Sequence, residues 1–262
     1  VSLDLPDVQT ESELMTSLDS LPPTIFGIDD VQRIFLRDVQ GFSVLKSLFA
    51  IIQATSDRHC WLLTCHLSTW NFLNSPSTPI QTNFFRSIIE VPPWSVHDVQ
   101  RHFSNIVQDH SMTLDFSSLT RLNSPQSLHR AETAFWRLLT DASKGNPSIA
   151  LQLFDRALFK TSNTTEREVF VRLFPLMKSE TIQDLDDVSC FVLACIVLHN
   201  HLRFDELCRS LQMTKTVVQS TCRNLLALEI IHATDRGYEI HPVWFPWVEG
   251  VLVQKRFISV RR

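Results

Sequence analysis

The chain has 262 residues, 44% of them hydrophobic, and 24 Lys and Arg against 28 Asp and Glu give it a net charge of −4. That length holds one large domain or two compact ones, and that charge offers no bulk attraction to nucleic acid or anionic membrane. The longest apolar run, Val188 to Leu198, falls well short of the roughly 20 residues a membrane-spanning helix needs.

The N-terminus, Val-Ser-Leu-Asp-Leu, has no basic segment and no initiating Met, as expected of a fragment or processed chain. Ser12 to Leu21 predicts a short helix leading to Pro22-Pro23, and Thr24 to Ile28 an apolar strand. From Val31 to Ala54, apolar residues at threes and fours (Ile34, Phe35, Val39, Phe42, Leu45, Leu48, Phe49, Ile52) predict one helix buried on one side. His59 to Cys65 is a second strand, of the kind found in a parallel sheet covered on both faces. Asn74 to Pro79 is a loop, and Ser87 to Val91 a third strand stopped by Pro92-Pro93. This order predicts α/β layers.

After Pro93 the pattern turns all-α. Ser95 with Asp98 is a capping-box start for a helix to about His110. Gln126 to Lys144 is a second helix, closed by Gly145. Pro147 opens a third, which carries Ile149, Leu151, Leu153, Phe154, Ala157 and Leu158. Thr161 to Thr165 is a polar linker, and helix resumes at Glu166. Helices are then expected at Val188–His199, Phe204–Leu211 and Thr214–Leu228. Two β runs, Ile230–Ala233 and Tyr238–His241, flank Asp235-Arg236-Gly237 as a hairpin. Three helices and a hairpin is the layout of a winged helix-turn-helix.

None of the six cysteines forms a C-x-x-C pair, and all but Cys208 lie among apolar or small residues. They read as buried free thiols of a reducing, cytosolic compartment. His59-Cys60 and Cys65-His66 bracket a strand that holds its two ends too far apart for one zinc ion.

Thr24-Ile25-Phe26-Gly27-Ile28-Asp29-Asp30 is an apolar strand ending in two carboxylates, the form of a Walker B element. Magnesium takes oxygen ligands and keeps several waters. Adjacent acids at the C-terminal end of a parallel strand sit where α/β sheets bind ligands. Asp29 would hold the metal through water, and Asp30 would orient or deprotonate the attacking water. The alternative is that the pair caps a helix starting at Val31. The partner motif, G-x-x-x-x-G-K-[ST], is not found among the five glycines. Arg33 and Arg37 follow on one face of the expected helix, read as a solvated face.

The stretch from Thr24 to Leu158 resembles the second half of an AAA+ P-loop ATPase of the initiator-like or STAND-type branches. In that resemblance Trp61-Leu62-Leu63-Thr64-Cys65-His66 is similar to a sensor 1 strand, which makes Thr64 and His66 contacts of the water or γ-phosphate. Phe84-Phe85-Arg86 precedes the last core strand, which makes Arg86 an arginine finger acting on a neighbouring subunit. Gly145-Asn146-Pro147-Ser148-Ile149-Ala150 is similar to a sensor 2 segment, with Asn146 and Ser148 near nucleotide and Ser148 where an Arg is usual.

The resemblance implies a partial RecA-like core over residues 1–93, a helical lid over 94–165, a linker helix over 166–185 and a winged helix over 186–262. It also implies ATP and Mg as cofactors in a full-length homo-oligomer, an upstream P-loop half of the same protein, and little activity from these residues alone. Other expectations are a non-catalytic protein-interaction module and a DNA-binding initiator or regulator. For DNA, the third helix of the module would present Lys215, Gln219, Arg223 and Asn224. Against this, acids Asp205, Glu206, Asp235 and Glu239 flank the second helix and the wing. Trp244, Phe245 and Trp247 read as core of the same module, and Lys255-Arg256 with Arg261-Arg262 as a short basic tail.

Overall fold

A computed structural model describes residues 11–76, 78–121, 124–160, 167–174 and 179–259. The expected linker Thr161–Thr165 and the tail residues Arg261 and Arg262 lie outside them. The chain is mixed α/β, with many helices and, among the described residues, three small sheets. No helix of the described residues is long and apolar enough to cross a membrane.

In chain order the first elements are α1 (Glu11–Ser20), β1 (Ile25–Ile28), a single 3-10 turn (Val31–Arg33), α2 (Ser43–Thr55), β2 (Cys60–Leu63) and α3 (Leu67–Leu73). There follow α4 (Val96–Asp109), β3 (Thr113–Asp115), α5 (Pro125–Ser143), α6 (Pro147–Ala157), β4 (Leu158–Phe159), β5 (Glu168–Val171) and α7 (Ser179–Gln183). The chain continues through α8 (Asp187–His199), β6 (His201–Leu202), α9 (Phe204–Leu211), α10 (Lys215–Ala227), β7 (Ile231–Thr234), β8 (Gly237–Ile240) and α11 (Phe245–Gln254).

These elements form two compact units. One joins the described residues up to Ile89 with Asp186–Ile240 and the residues from Leu252 on; the other joins Glu90–Leu185 with His241–Val251. In the first unit, β1 and β2 pair in parallel with Ile25 opposite Cys60 and Ile28 opposite Leu63. Leu45, Phe49 and Ile52 of α2 bury one face of this pair, with Val31, Phe35 and Leu73. The apolar α8 carries ten buried residues and is the central helix of α8, α9 and α10, as a helix without a polar face must be. Beside it β6, β8 and β7 form an antiparallel sheet in that order.

In the second unit, Phe103, Phe135, Trp136 and Phe154 make an aromatic core with Val99, Leu139 and Leu153, and Phe245 packs against it. Trp244 is buried as well, on the short turn before α11; with Phe245 and Trp247 it belongs to this second unit, not to the core of the module of three helices and a hairpin as expected. The capping box forms as expected: Ser95 Oγ accepts from Asp98 N–H at 3.2 Å while Asp98 Oδ2 accepts from Ser95 N–H at 3.1 Å. The Ser95 hydroxyl, which donates to Asp98 Oδ2 at 2.6 Å, and then the Ser95 N–H hold the Asp98 carboxyl below its usual range.

Four expectations about helices, strands and sheets need correction. The helix expected from Val31 starts only at Ser43. Asp38 Oδ1 accepts from Gln40 N–H, and Leu36 N–H donates to Gly41 O, so residues 36–41 close into a loop. A Cβ on Gly41 would stand 2.0 Å from Leu36 O, and only glycine permits that approach. Ser87–Val91 forms no strand: no neighbour pairs with it among the described residues, and Ile88, Ile89 and Val91 stand exposed. The β1–β2 sheet is covered on one face only, leaving Ile25 75% and Leu62 57% exposed. Within the expected all-α region, Glu168–Val171 is a strand of the β3–β5–β4 sheet rather than part of a linker helix; Val169 and Val171 are buried and Glu168 is exposed, in strand alternation.

Cys190, Cys195 and Cys222 are buried, and burial pushes the Cys195 and Cys222 thiols up to about 11. Cys60 is exposed, contrary to expectation. His59 is buried between Thr24 N–H, which donates to its Nδ1 at 3.2 Å, and Leu18 O, 3.1 Å from its Nε2. Both ring nitrogens are thereby used in tying β1 to α1.

Gly145 generates a stability prediction. It has φ +68°, and a Cβ there would meet Trp94 O at 2.6 Å. Gly145→Ala should cost more than about 1 kcal/mol in urea unfolding; an unchanged midpoint would contradict the crowding.

Candidate functional site

Asp29 and Asp30 follow the last residue of β1, and Thr64 follows the last residue of β2. Parallel pairing in register therefore brings Thr64 beside the acids. The Thr64 hydroxyl donates to Asp29 Oδ1. Its oxygen accepts from Asp30 N–H at 3.2 Å. Around this contact Thr64 N–H donates to Ile28 O and Val31 N–H donates to Thr64 O, each at 2.9 Å. A hydroxyl has one proton, and here it is committed to Asp29. In this arrangement Thr64 orients a carboxylate.

Asp30 has left-handed backbone geometry, φ 58° and ψ 54°, a conformation that Asp tolerates better than most residues. It turns the chain sharply out of β1 into the 3-10 turn. Its side chain makes no capping bond to that turn, which removes the helix-cap alternative. Asp30 Oδ1 instead accepts from Gln32 Nε2 at 2.7 Å.

Gln32 is the residue the sequence reading missed. It has no solvent exposure, and its Oε1 accepts from His66 N–H at 3.4 Å. One amide thus spans from the second acid to the start of α3, where His66 is the N-terminal flanking residue. The only signal in the sequence was a Gln two places after the acids, between Val31 and Arg33.

Gln32 O in turn lies 3.1 Å from His199 Nδ1, at the end of α8. His199 is 2% exposed and lies against the Phe35 ring, centroids 4.9 Å apart. Burial pushes the imidazole down to about 4; the Gln32 bond and Glu206 pull it up, while Arg37 and His201 push it further down. A second tie joins Thr69 Oγ1 to Leu198 O at 2.6 Å.

The remaining candidates fall elsewhere. Arg86 is exposed, in the coil after Phe84 and Phe85. Asn146 and Ser148 belong to the second unit, and Asn146 Oδ1 caps α6 by accepting from Ser148 N–H at 3.0 Å and Ile149 N–H at 3.3 Å. Lys215, Gln219, Arg223 and Asn224 are exposed on α10, with Lys215 paired to Asp205 at 3.3 Å. Arg33 and Arg37 do not share a helix face: Arg33 ends the 3-10 turn, and Arg37 lies 5.8 Å from the Phe72 ring centroid.

Two carboxylates and a hydroxyl are hard oxygen groups of the kind magnesium takes. No group of three or more His, Cys, Asp or Glu suited to a metal occurs among the described residues. The fit is to an ion that keeps several waters, since the chain offers few ligands.

No protein-family model matches the chain, and no curated protein matches it. Among solved structures, it is similar to the RuvB Holliday junction branch migration motor of Thermotoga maritima, at 15% identity, covering 96% of this chain and 76% of that one with a TM-score of 0.36. A substituted form of the same RuvB gives 15% identity, 93% and 76% coverage and a TM-score of 0.37. The Walker-type ATPase of Pyrococcus abyssi gives 17% identity, 96% and 72% coverage and a TM-score of 0.35. Likeness at that level assigns neither a family nor an activity.

The buried His199 makes stability depend on pH. The unfolded chain takes up a proton near 6.5, whereas the folded chain holds His199 neutral down to about 4. Between those values the unfolded state binds more protons, so stability falls as pH drops through the window. The loss has an upper bound of about 3 kcal/mol. Urea midpoints from pH 7 to 4 should show this decline, and His199→Gln should flatten it.

Proposed function

We propose that this chain carries the Walker B and sensor elements of an AAA+-type P-loop ATPase, with α8 to β8 as its winged helix. The observation that supports this most is the joining of Asp29, Asp30 and Thr64 at the C-terminal ends of two adjacent parallel strands, the rim at which open α/β sheets bind ligands. In this reading Asp29 holds magnesium through water, with Thr64 fixing its carboxylate. Asp30, held by Gln32, positions and deprotonates the attacking water. His66 and Arg86 serve the phosphates, Arg86 on a neighbouring copy, and Asn146 and Ser148 contribute from the lid. Bound magnesium and ATP would supply charge neutralisation and the transferred phosphoryl group.

The reading needs a phosphate loop from outside these 262 residues. Two parallel strands with one bare face make a poor sheet alone. Exposed Ile25 and Leu62, and the exposed Ile88, Ile89 and Val91 of a segment that pairs with no strand among the described residues, suit a sheet that gains a further strand. A strand ending in G-x-x-x-x-G-K-[ST] ahead of Val1 in the same polypeptide would supply both. The α10 face then serves docking within the ATPase; its Lys215 is already paired to an acid, which favours protein contact over DNA.

The test is steady-state ATP hydrolysis by the protein with its preceding residues included. Asp30→Asn should lower kcat about a hundredfold or more, and Arg86→Ala should lower it in the assembled oligomer. Unchanged turnover in both variants, or the lack of any phosphate loop in the preceding residues, would overturn the proposal.

A further inference from the structure

The first unit contains a half-open cavity of about 640 Å³, and neither Asp29 nor Asp30 lines it. Four arginines from three separate elements line it: Arg33 of the 3-10 turn, Arg203 and Arg209 at the start and end of α9, and Arg236 in the turn between β7 and β8. Only two carboxylates join them, Glu206 and Asp235. Glu206 Oε2 is engaged, accepting from Arg203 N–H at 2.7 Å. Arg209 is also engaged, 2.6 Å from Asp38 Oδ2. No ion pair among the described residues holds Arg33, Arg203 or Arg236. Three arginines without an ion pair thus share one concavity with Arg209, and the four arginines outnumber the two carboxylates there, although the chain as a whole is acidic.

Guanidinium forks match phosphate oxygens in pairs and hold them with charge-assisted hydrogen bonds. A phosphate monoester carries about −1.5 to −2, and arginine forks from three separate elements offer donors to more than one phosphate of a chain. The volume lies within the roughly 300–1,000 Å³ usual for small-molecule sites, more than a single phosphate requires. We infer that this cavity binds a small molecule bearing a chain of two or three phosphates, at a site separate from the Asp29–Asp30 pair. Because Arg33 adjoins Gln32 and Arg203 follows the end of α8, such a ligand bridges the two segments that Gln32 and His199 join.

The test is isothermal titration of the 262-residue chain with sodium tripolyphosphate, ATP and adenosine. EDTA is present, so that the carboxylate pair has no metal through which to hold phosphate. Saturable one-to-one binding of tripolyphosphate is expected, with Kd below about 1 mM, and none of adenosine. ATP binding more tightly than tripolyphosphate would mark a nucleotide as the ligand; equal affinity would mark the phosphate chain alone. The pair Arg33→Gln with Arg236→Gln should weaken binding at least about tenfold. Arg101→Gln, on α4, removes one positive charge far from these residues in sequence and should leave binding unchanged. Thermal melts of each variant confirm folding, and a variant that does not fold is replaced by Arg203→Gln. No saturation by tripolyphosphate, binding of adenosine alone, or equal affinity in the cavity variants would overturn the inference.

Discussion

A buried glutamine holds the candidate site together. Gln32 has no exposure to water, so each of its polar groups must find a partner or cost about 1–3 kcal/mol. Its Nε2 is met by Asp30, its Oε1 by His66 N–H, and its backbone carbonyl by His199. The first two bonds fix the second carboxylate relative to the start of α3. The third ties the same backbone to the end of α8. A carboxylate pair on a flexible loop would have no defined geometry; here Gln32 and Thr64 hold the pair from both sides.

The same contacts explain why the first unit is assembled from segments far apart in sequence. Residues near 30 and 66 meet residues near 198 through His199 and through Thr69 Oγ1 on Leu198 O. Phe35 stacks on Phe42 and Phe72 and lies against His199. Neither the β1–β2 pair nor the α8–β8 module is therefore independent. A group that binds at the acids and one that binds beside α9 would act on one packed body. Two sites within one cooperative unit can be coupled by the differential contacts each ligand makes.

Elements specified by local chemistry were legible in the sequence. Ser95 with Asp98, Pro147 after Asn146, and Gly145 after Lys144 mark helix ends through bonds made within a few residues, and α4, α5 and α6 begin and end there. The α9 range was legible as well, from apolar spacing alone. Elements that depend on distant partners were not. The helix expected from Val31 fails because Asp30 is left-handed and Gly41 packs on Leu36 O, neither of which apolar periodicity records. Ser87–Val91 has strand composition but no ladder to join, and Glu168–Val171 is a strand because β3 and β4 flank it. In the site, adjacent Asp29 and Asp30 could be read directly. Gln32 and His199 could not, since their roles arise from contacts 34 and 167 residues apart.

The most direct test of this account is amide hydrogen exchange in the chain carrying Gln32→Ala. If Gln32 is the tie, protection should fall together in residues 25–34, 60–70 and 189–199, while α4 and α5 of the second unit keep theirs. Loss confined to residues 31–33, with 189–199 as protected as before, would contradict the claim that one buried amide holds the carboxylates to the rest of the unit.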